Sequence, residues 1–423
     1  MQRMRQFLCF ALVLTQLNAG GWACSYSAPL WIPNSFASSP LYKFMVGKEK
    51  DSKSGYIDQT GKVVIQPTLS LQPIFVSSEF RDGMLKVSHG KYWDVSGRVA
   101  IDIAVEQSAE FSEGLAAAKV RVKEIGLWGF IDRSGKFAIQ PKFNAMPQPF
   151  SDGLSLVVVG DRVGYINKSG EFAIEPKFMA GRPFFEGRAL VIVEGPCALE
   201  FHSDCFSSIT FPQPARELSN PNYRKCKYAF IDTHGSVISS DRYDEALNFS
   251  EGLAAVRVGK MWGYVDQSGR MAIPLMFYDA ESFSEGLAVI GEPFPISRYT
   301  GKRGWSPGDP KPPEWRYGFI NARGAVVIEP QFASAKPFHD GVAVASDSFL
   351  VRGTNHYYIG QDGKRAFPGN FNDASSFFRG LAHVRLSNGY RQAWYELGAY
   401  AYIDRAGRIV FSYDPEVFQP TPQ

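Results

Sequence analysis

The sequence has little net charge and little of the chemistry that most catalytic sites use. Its 423 residues carry a formal net charge of only +3, so it lacks the basic excess typical of nucleic-acid binding proteins. There are only six histidines, and their spacing matches no metal-binding motif. A phosphate-binding glycine loop and a G-x-S-x-G nucleophile elbow are also missing. We therefore expect no metal, no cofactor and no catalytic residues, although a pair of carboxylates that hydrolyses glycosides could occur in any fold.

Long hydrophobic runs are missing beyond the N-terminus. There, Arg3 and Arg5 precede an apolar run from Phe7 to Leu17, and small residues follow up to Ala23. This order is typical of a secretory signal peptide, and the run is too short for a permanent membrane span. We expect residues 1–23 to be a signal peptide and residues 24–41 a linker. The mature chain is then exported to the periplasm or the extracellular space, in association with the envelope and without a transmembrane span.

Cysteine is scarce, and four of the five cysteines would remain after removal of the signal peptide. An exported protein can form disulfides between them. Cys24 follows a tripeptide that matches a bacterial lipobox only in its last residue, so Cys24 is a candidate for lipidation. Cys197 and Cys226 flank one long insertion, where a disulfide could hold the base of the loop. A bond between Cys197 and Cys205 is an alternative that the sequence does not decide.

Glycine, proline and aromatic residues are abundant, and they form a repeat. WGFIDRSGKFAIQP at residues 128–141 closely matches WGYVDQSGRMAIP at residues 262–274. The turn glycine of this first motif recurs at Gly61, Gly97, Gly135, Gly170, Gly235, Gly269, Gly324, Gly363 and Gly407. A second motif, FSEGLA in its most regular copies, has its glycine at Gly83, Gly114, Gly153, Gly187, Gly252, Gly286, Gly341 and Gly380. The chain therefore contains nine units, of about 35 residues each in the compact copies.

The sequence of each unit predicts three short strands. In unit six, strand A is Leu253 to Val258, strand B is Trp262 to Asp266, and strand C is Arg270 to Ile273. Such short apolar and aromatic runs favour strands over helices. The D-x-S-G sequence predicts a tight turn between B and C, and the proline after strand C predicts the end of that strand. The fold class is all-β, with nine complete units over residues 42–411 and a tail at residues 412–423. Whether the array is a curved solenoid or a closed, propeller-like ring stays open.

Two sets of repeated residues have both a functional and a structural interpretation. Every strand B has an aromatic residue near its end: Tyr56, Tyr92, Phe130, Tyr165, Phe230, Tyr264, Phe319, Tyr358 and Tyr402. We interpret these rings as packing against the neighbouring unit rather than as a ladder for an extended ligand. The acids of the B–C turns are replaced by Asn or Gly in three units, so we interpret them as turn residues and not as calcium ligands. The acids before the second glycine are expected to be solvated, and Arg379 breaks their pattern.

Three units carry long insertions, and each insertion lies between strand A and strand B. The insertions are residues 195–226, 292–316 and 387–399. Equivalent loops of a repeat array emerge on the same side. The loops are rich in Trp, Tyr and Arg, which are typical of binding hot spots. The candidate partner-binding residues are Tyr299, Arg303, Trp305, Trp315, Tyr390, Trp394 and Tyr395. The alternative is that these side chains fold back and pack on the array.

The sequences WGFIDRSGKFAIQPKF, WGYVDQSGRMAIP and FSEGLA resemble the WG (KWG) repeat family of bacterial proteins. The resemblance covers residues 42–411, although the Trp-Gly pair itself is kept only at residues 128–129 and 262–263. It implies an all-β repeat fold, but no activity and no site residues. We expect a non-enzymatic binding or scaffold protein of the envelope with a protein partner. The alternatives are a module that binds glycan or cell wall and, more remotely, a hydrolase with a carboxylate pair.

Overall fold

A computed structural model describes residues 40–47, 52–69, 79–194, 226–239, 241–293, 315–347, 356–386 and 400–414. Every regular element in these residues is a strand. The same stretches contain no helix of the length and apolarity that would cross a membrane. The all-β fold class is therefore confirmed.

Strands A and B are present in all nine units and pair as antiparallel hairpins. Strand A spans Tyr42–Val46, Met84–Ser88, Leu115–Val122, Ser155–Val159, Ala189–Glu194, Leu253–Val258, Leu287–Pro293, Ala343–Ser346 and Leu381–Leu386. Strand B spans Lys53–Ile57, Lys91–Asp94, Ile125–Asp132, Arg162–Ile166, Lys227–Ile231, Met261–Asp266, Trp315–Asn321, His356–Ile359 and Tyr400–Asp404. Both strands are mostly buried on both faces, which explains their continuous apolar runs.

Strand C lies on the far side of strand B and is longer than the sequence predicts. It spans Val63–Leu69, Val99–Asp102, Phe137–Phe143, Phe172–Phe178, Met271–Phe277, Val326–Phe332 and Ile409–Tyr413. The prediction that proline ends this strand is wrong, because the strand continues past the proline at Pro67, Pro141, Pro176 and Pro330. The register between strands B and C shifts where the proline occurs, as between Tyr264 and Trp262 in unit six. A bulge on an edge strand tolerates proline, because the missing N–H is not needed for pairing there.

The bulge explains the glycine of the Trp-Gly pair. A Cβ atom on Gly263 would lie 2.6 Å from the carbonyl oxygen of Ile273, because the bulged strand C crosses directly over strand B at that point. The equivalent Gly129 faces the same obstruction, at 2.4 Å from the carbonyl oxygen of Ile139. Units without a proline in strand C have another residue at this position, such as Ala401 in unit nine.

A short fourth strand, D, precedes strand A in six units and was not predicted. It spans Gln107–Ser108, Ala180–Gly181, Glu245–Ala246, Asp279–Ala280, Ser334–Ala335 and Phe371–Ala374. The second motif forms the turn between strands D and A. In unit seven, Ser284 and Leu287 exchange backbone hydrogen bonds across Glu285 and Gly286, which have φ values of 55° and 80°. Two consecutive positive φ values define a type I′ turn, which suits a twisted hairpin and favours glycine at its second position.

The nine units close into a ring, which the sequence left open. Tyr402 in unit nine lies 5.5 Å from Tyr42 in unit one, measured between ring centroids. The Tyr42 hydroxyl and the Gln59 amide of unit one each donate a hydrogen bond of 2.8 Å to the carbonyl oxygen of Arg379 in unit nine. Gln267 of unit six makes the same type of bond to Glu186 of unit five. Unit one therefore follows unit nine much as unit six follows unit five.

An aromatic pair holds each junction between units. The ring in strand B contacts the phenylalanine of the next unit's second motif at centroid distances such as 4.9 Å for Tyr264 and Phe283. Eight such pairs occur, and the pair Tyr402–Tyr42 completes the circle. All nine strand B rings are buried, with Tyr402 the most exposed at 8%. The interpretation of these rings as packing between units is confirmed, and each edge-to-face pair contributes about 0.5–1.5 kcal/mol beyond its buried area.

Candidate interaction face

The ring has two different faces. On one face, here called the turn face, the D–A turn of one unit lies beside the B–C turn of the next. Gln361 in a B–C turn, for example, donates a 3.2 Å hydrogen bond to the carbonyl oxygen of Glu285 in the preceding unit's D–A turn. Antiparallel strands place the A–B connections at the opposite end of the same strands. That end, here called the loop face, carries the three long insertions.

The acids of the D–A turns link one unit to the next. In unit six, the Glu251 carboxylate accepts hydrogen bonds from the backbone N–H groups of Glu285 at 2.6 Å and Gly286 at 2.8 Å. Seven such acid-to-glycine links run along the ring: Asp82–Gly114, Glu113–Gly153, Asp152–Gly187, Glu186–Gly252, Glu251–Gly286, Glu285–Gly341 and Asp340–Gly380. These acids therefore also link the units. The expectation that they are solvated turn positions holds for Asp152, Glu186, Glu251 and Glu285, which are exposed, but not for Asp82, which is buried.

Arg379 occupies the acidic position in unit nine, and the structure gives a reason. The next unit in the ring is unit one, whose described residues contain no D–A turn and so present no turn glycine N–H to a carboxylate. The carbonyl oxygen of Arg379 instead accepts hydrogen bonds from Tyr42 and Gln59. An acid at this position would therefore lack the partner that it has in the other units.

The acids of the B–C turns act as turn residues. Asp266 Oδ1 accepts hydrogen bonds from the backbone N–H groups of Ser268 at 2.8 Å and Arg270 at 3.1 Å. The Ser268 hydroxyl also donates to this oxygen, and these bonds hold the pKa of Asp266 below its usual range. Asn321 accepts the same two backbone bonds in unit seven. Across the described stretches, no three His, Cys, Asp or Glu residues are placed to hold a metal ion.

The bases of the three insertions lie at equivalent points on the loop face. Each insertion begins after the end of strand A and rejoins the hairpin at the start of strand B. The cross-strand pairs that flank them are Glu194–Lys227, Pro293–Trp315 and Arg385–Tyr400. Unit six closes the same connection with a short turn at Gly259 and Lys260. The prediction that the insertions share one edge agrees with the position of these bases.

Trp315 is the one candidate partner-binding residue within the described part of the chain. It starts strand B of unit seven, is half-buried, and contacts Tyr278 edge-on at a centroid distance of 6.4 Å. Tyr278 is 47% exposed, so the pair leaves aromatic surface open at the base of the insertion. The candidates outside the described residues are Tyr299, Arg303, Trp305, Tyr390, Trp394 and Tyr395, and they stay predictions.

The cysteine predictions are only partly within the described residues. Cys226 is fully buried immediately before strand B of unit five. Cys197 and Cys24 lie outside the described residues, so the Cys197–Cys226 disulfide and the lipidation of Cys24 stay predictions.

Two junctions between units carry the same set of four polar residues near the loop face. At the junction of units five and six these are Arg182, Tyr228, Glu245 and Arg257; at the junction of units eight and nine they are Lys336, His356, Asp373 and Arg385. The first residue lies two positions before the second-motif phenylalanine. The second takes the place of the tryptophan of Trp-Gly, and the acid in strand D lies opposite the arginine in strand A of the same unit. Sequence reasoning missed these sets because three members come from three different strands and the fourth, Arg182 or Lys336, lies just after strand D.

A model for a WG containing repeat matches six stretches of the chain: residues 55–93, 128–162, 164–195, 228–262, 262–291 and 317–346. A comparison with curated proteins gave no match. Among solved structures, a eukaryotic initiation factor is similar with a TM-score of 0.53 and 9% identity, over 90% of this chain and 98% of that one. The dipeptidyl peptidase 4 of Porphyromonas gingivalis gives a TM-score of 0.46 and 7% identity, over 89% of this chain and 59% of that one. Identities this low concern the fold alone.

Proposed function

Because the chain belongs to the WG-containing repeat family and closes its units into a ring, we propose that it is a non-enzymatic binding or scaffold protein of the bacterial envelope. It engages a protein partner through the loop face. The observation that carries this proposal is that the three long insertions, in units five, seven and nine, all rise from equivalent hairpin ends. Sequence that departs from a structural repeat on one face is typical of the binding face of repeat proteins.

The turn face is a poorer candidate for binding. Its carboxylates already accept hydrogen bonds from backbone N–H groups, as Glu251 does from Gly286 at 2.8 Å. Its connections are tight turns that the fold itself requires, such as the one at Asp266. Substitution there would disturb the packing between units, whereas the A–B connections vary in length with the strands unchanged.

The base of the unit-seven insertion has the composition of a binding hot spot. The half-buried Trp315 and the exposed Tyr278 form an aromatic pair, and Arg316 follows directly in the chain. Further along the loop face, Ile125 at the tip of unit three is 59% exposed and Val258 of unit six is 42% exposed. Aromatic and arginine anchors with surrounding apolar side chains are the residues that dominate protein interfaces.

The experiment replaces each insertion by the short turn of unit six. Residues 195–225, 294–314 and 387–399 are exchanged, one insertion at a time, for the Gly259-Lys260 turn, and each tagged variant is used for a quantitative pull-down from envelope extract. We expect a specific protein to be captured by the parent and lost from at least one replacement variant. The control is Lys136→Ala, an exposed position in a turn-face loop, which should capture the partner unchanged. A further variant carries all three replacements. If it still captures the partner, the proposal is contradicted.

A second candidate function, binding to glycan or cell wall, is favoured by the partly exposed Trp315–Tyr278 pair. Aromatic faces of this kind can stack on sugar rings. Co-sedimentation with purified peptidoglycan or polysaccharide, in parallel with the pull-down, distinguishes the two. Binding to the insoluble glycan that is lost in Trp315→Ala, without any captured protein, would support the glycan function instead.

A further inference from the structure

The two polar junctions differ in how their charges are paired. At the junction of units five and six, the carboxylate of Glu245 binds Arg257 through two contacts, at 3.0 Å to Nε and 2.9 Å to an Nη atom. Arg182 of unit five lies close enough to Glu245 and Tyr228 for both to raise its pKa against the effect of burial. Glu245 and Arg257 therefore satisfy each other, and no buried side-chain nitrogen of these four residues lacks a hydrogen-bond partner in the described part of the protein.

At the junction of units eight and nine, an aspartate takes the place of the glutamate. The Asp373 carboxylate is one methylene shorter, and its Oδ1 accepts a 2.9 Å hydrogen bond from the backbone N–H of Ala374. The Nε atom of Arg385, opposite Asp373 on strand A, is buried and has no hydrogen-bond partner in the described part of the protein. The same holds for Nδ1 of His356.

The other cationic side chain of this junction, Lys336, also has only part of its hydrogen-bonding capacity satisfied by the protein. Lys336 Nζ donates a 2.8 Å hydrogen bond to the carbonyl oxygen of Ala374, which uses one of its three N–H groups. Desolvation lowers the pKa of Lys336 and the pKa of His356, while Asp373 acts to raise both. Lys336 also lowers the pKa of His356, so the two side chains share one environment.

We infer that the junction of units eight and nine binds an oxyanion, a carboxylate or a phosphate group, through Lys336, Arg385 and His356. Unlike the junction of units five and six, this one has two buried nitrogen atoms without partners, Nε of Arg385 and Nδ1 of His356. A buried donor without a partner is costly, and guanidinium and ammonium groups are the usual ligands of carboxylate and phosphate. Lys336 and Asp373 are exposed and the side chains of Arg385 and His356 are only half-buried, so a ligand can approach the cluster from solvent. The inference does not depend on the identity of the loop-face partner.

Calorimetric titration of the full chain with sulfate, inorganic phosphate and acetate tests the site. Sulfate stays a dianion across neutral pH, and comparison with acetate separates a preference for tetrahedral anions from one for carboxylates. We expect saturable binding of at least one of the three. Asp373→Glu gives the acid the reach of Glu245, so it should pair with Arg385 and weaken binding by about tenfold or more. Arg385→Gln, which removes the charge, should weaken binding to a similar extent.

The junction of units five and six supplies the matched control. Glu245→Asp shortens the acid there, should leave the original site unchanged, and should create a second, weaker anion site beside Arg257. Circular dichroism and thermal unfolding establish that each variant is folded. Absence of saturable binding to the parent protein for all three anions overturns the inference. So does binding that is unchanged in both Asp373→Glu and Arg385→Gln when both are folded.

Discussion

The Tyr402 hydroxyl in unit nine donates a hydrogen bond to the carbonyl oxygen of Lys43 in unit one, across 359 positions of the sequence. Tyrosines in four other units make the equivalent bond to the next unit, as Tyr264 does to Glu281 at 2.9 Å. This junction differs in one respect, because no chain connection runs directly from unit nine to unit one. Noncovalent contacts alone close the ring there.

We predict that the closing junction is the first to open. Tyr402→Phe should cost about 1 kcal/mol for the lost hydrogen bond and should accelerate amide hydrogen exchange in strand A of unit one. Tyr264→Phe removes the same bond at a junction that the chain spans, so it should cost a similar free energy without accelerating exchange in unit one. Equal exchange rates in unit one for both variants would mean that closure is no weaker than the other junctions.

The closure also shows what the sequence could predict. Strands A and B and the packing of the strand B rings could be predicted from the repeat, because every copy has the same local sequence pattern. Closure depends on Tyr42, which contacts the strand B ring of unit nine where the other units use the phenylalanine of their second motif. Unit one has no recognisable second motif, so the sequence did not predict this contact. Strand D was missed because two residues, its length in five of the six units, are too few to show a period. The proposed anion site was missed because Lys336, His356 and Arg385 are far apart in the sequence and belong to no repeated motif.

The glycine of Trp-Gly should be required only where strand C bulges over it. Gly263→Ala places a Cβ atom 2.6 Å from the Ile273 carbonyl oxygen, so strand C must shift. We expect a loss of about 1–3 kcal/mol in the free energy of unfolding, measured by chemical denaturation. Ala401→Gly, at the equivalent position in unit nine, should cost about 1 kcal/mol or less through backbone entropy. A Gly263→Ala variant as stable as the parent would contradict the steric explanation.

The acid links of the turn face should contribute to stability individually. Glu251→Ala leaves the N–H groups of Glu285 and Gly286 without their carboxylate, although water can replace part of the interaction because the site is exposed. We expect a loss of about 0.5–1.5 kcal/mol, and a smaller loss for Glu251→Gln, which keeps one acceptor oxygen. Glu329→Ala, an exposed acid on strand C, is the control and should change the unfolding free energy little. The link is refuted if Glu251→Ala behaves like that control.

The B–C turns should make the protein sensitive to acid. Hydrogen bonds from Ser268 and Arg270 hold the pKa of Asp266 below its unfolded value of 3.8, and the pKa values of Asp94 and Asp132 are lowered in the same way. A carboxyl group whose pKa is lowered by folding stabilises the protein above its unfolded pKa, and this contribution is lost as the pH falls through the folded pKa. The unfolding temperature should therefore not change with pH through these groups near neutral pH, and it should decrease below about pH 4. Asp266→Asn imitates the turn of unit seven, so the turn should still form. The unfolding temperature of this variant should decrease less at low pH than that of the parent protein. An Asp266→Asn variant with the full acid sensitivity of the parent would show that this turn carries none of it.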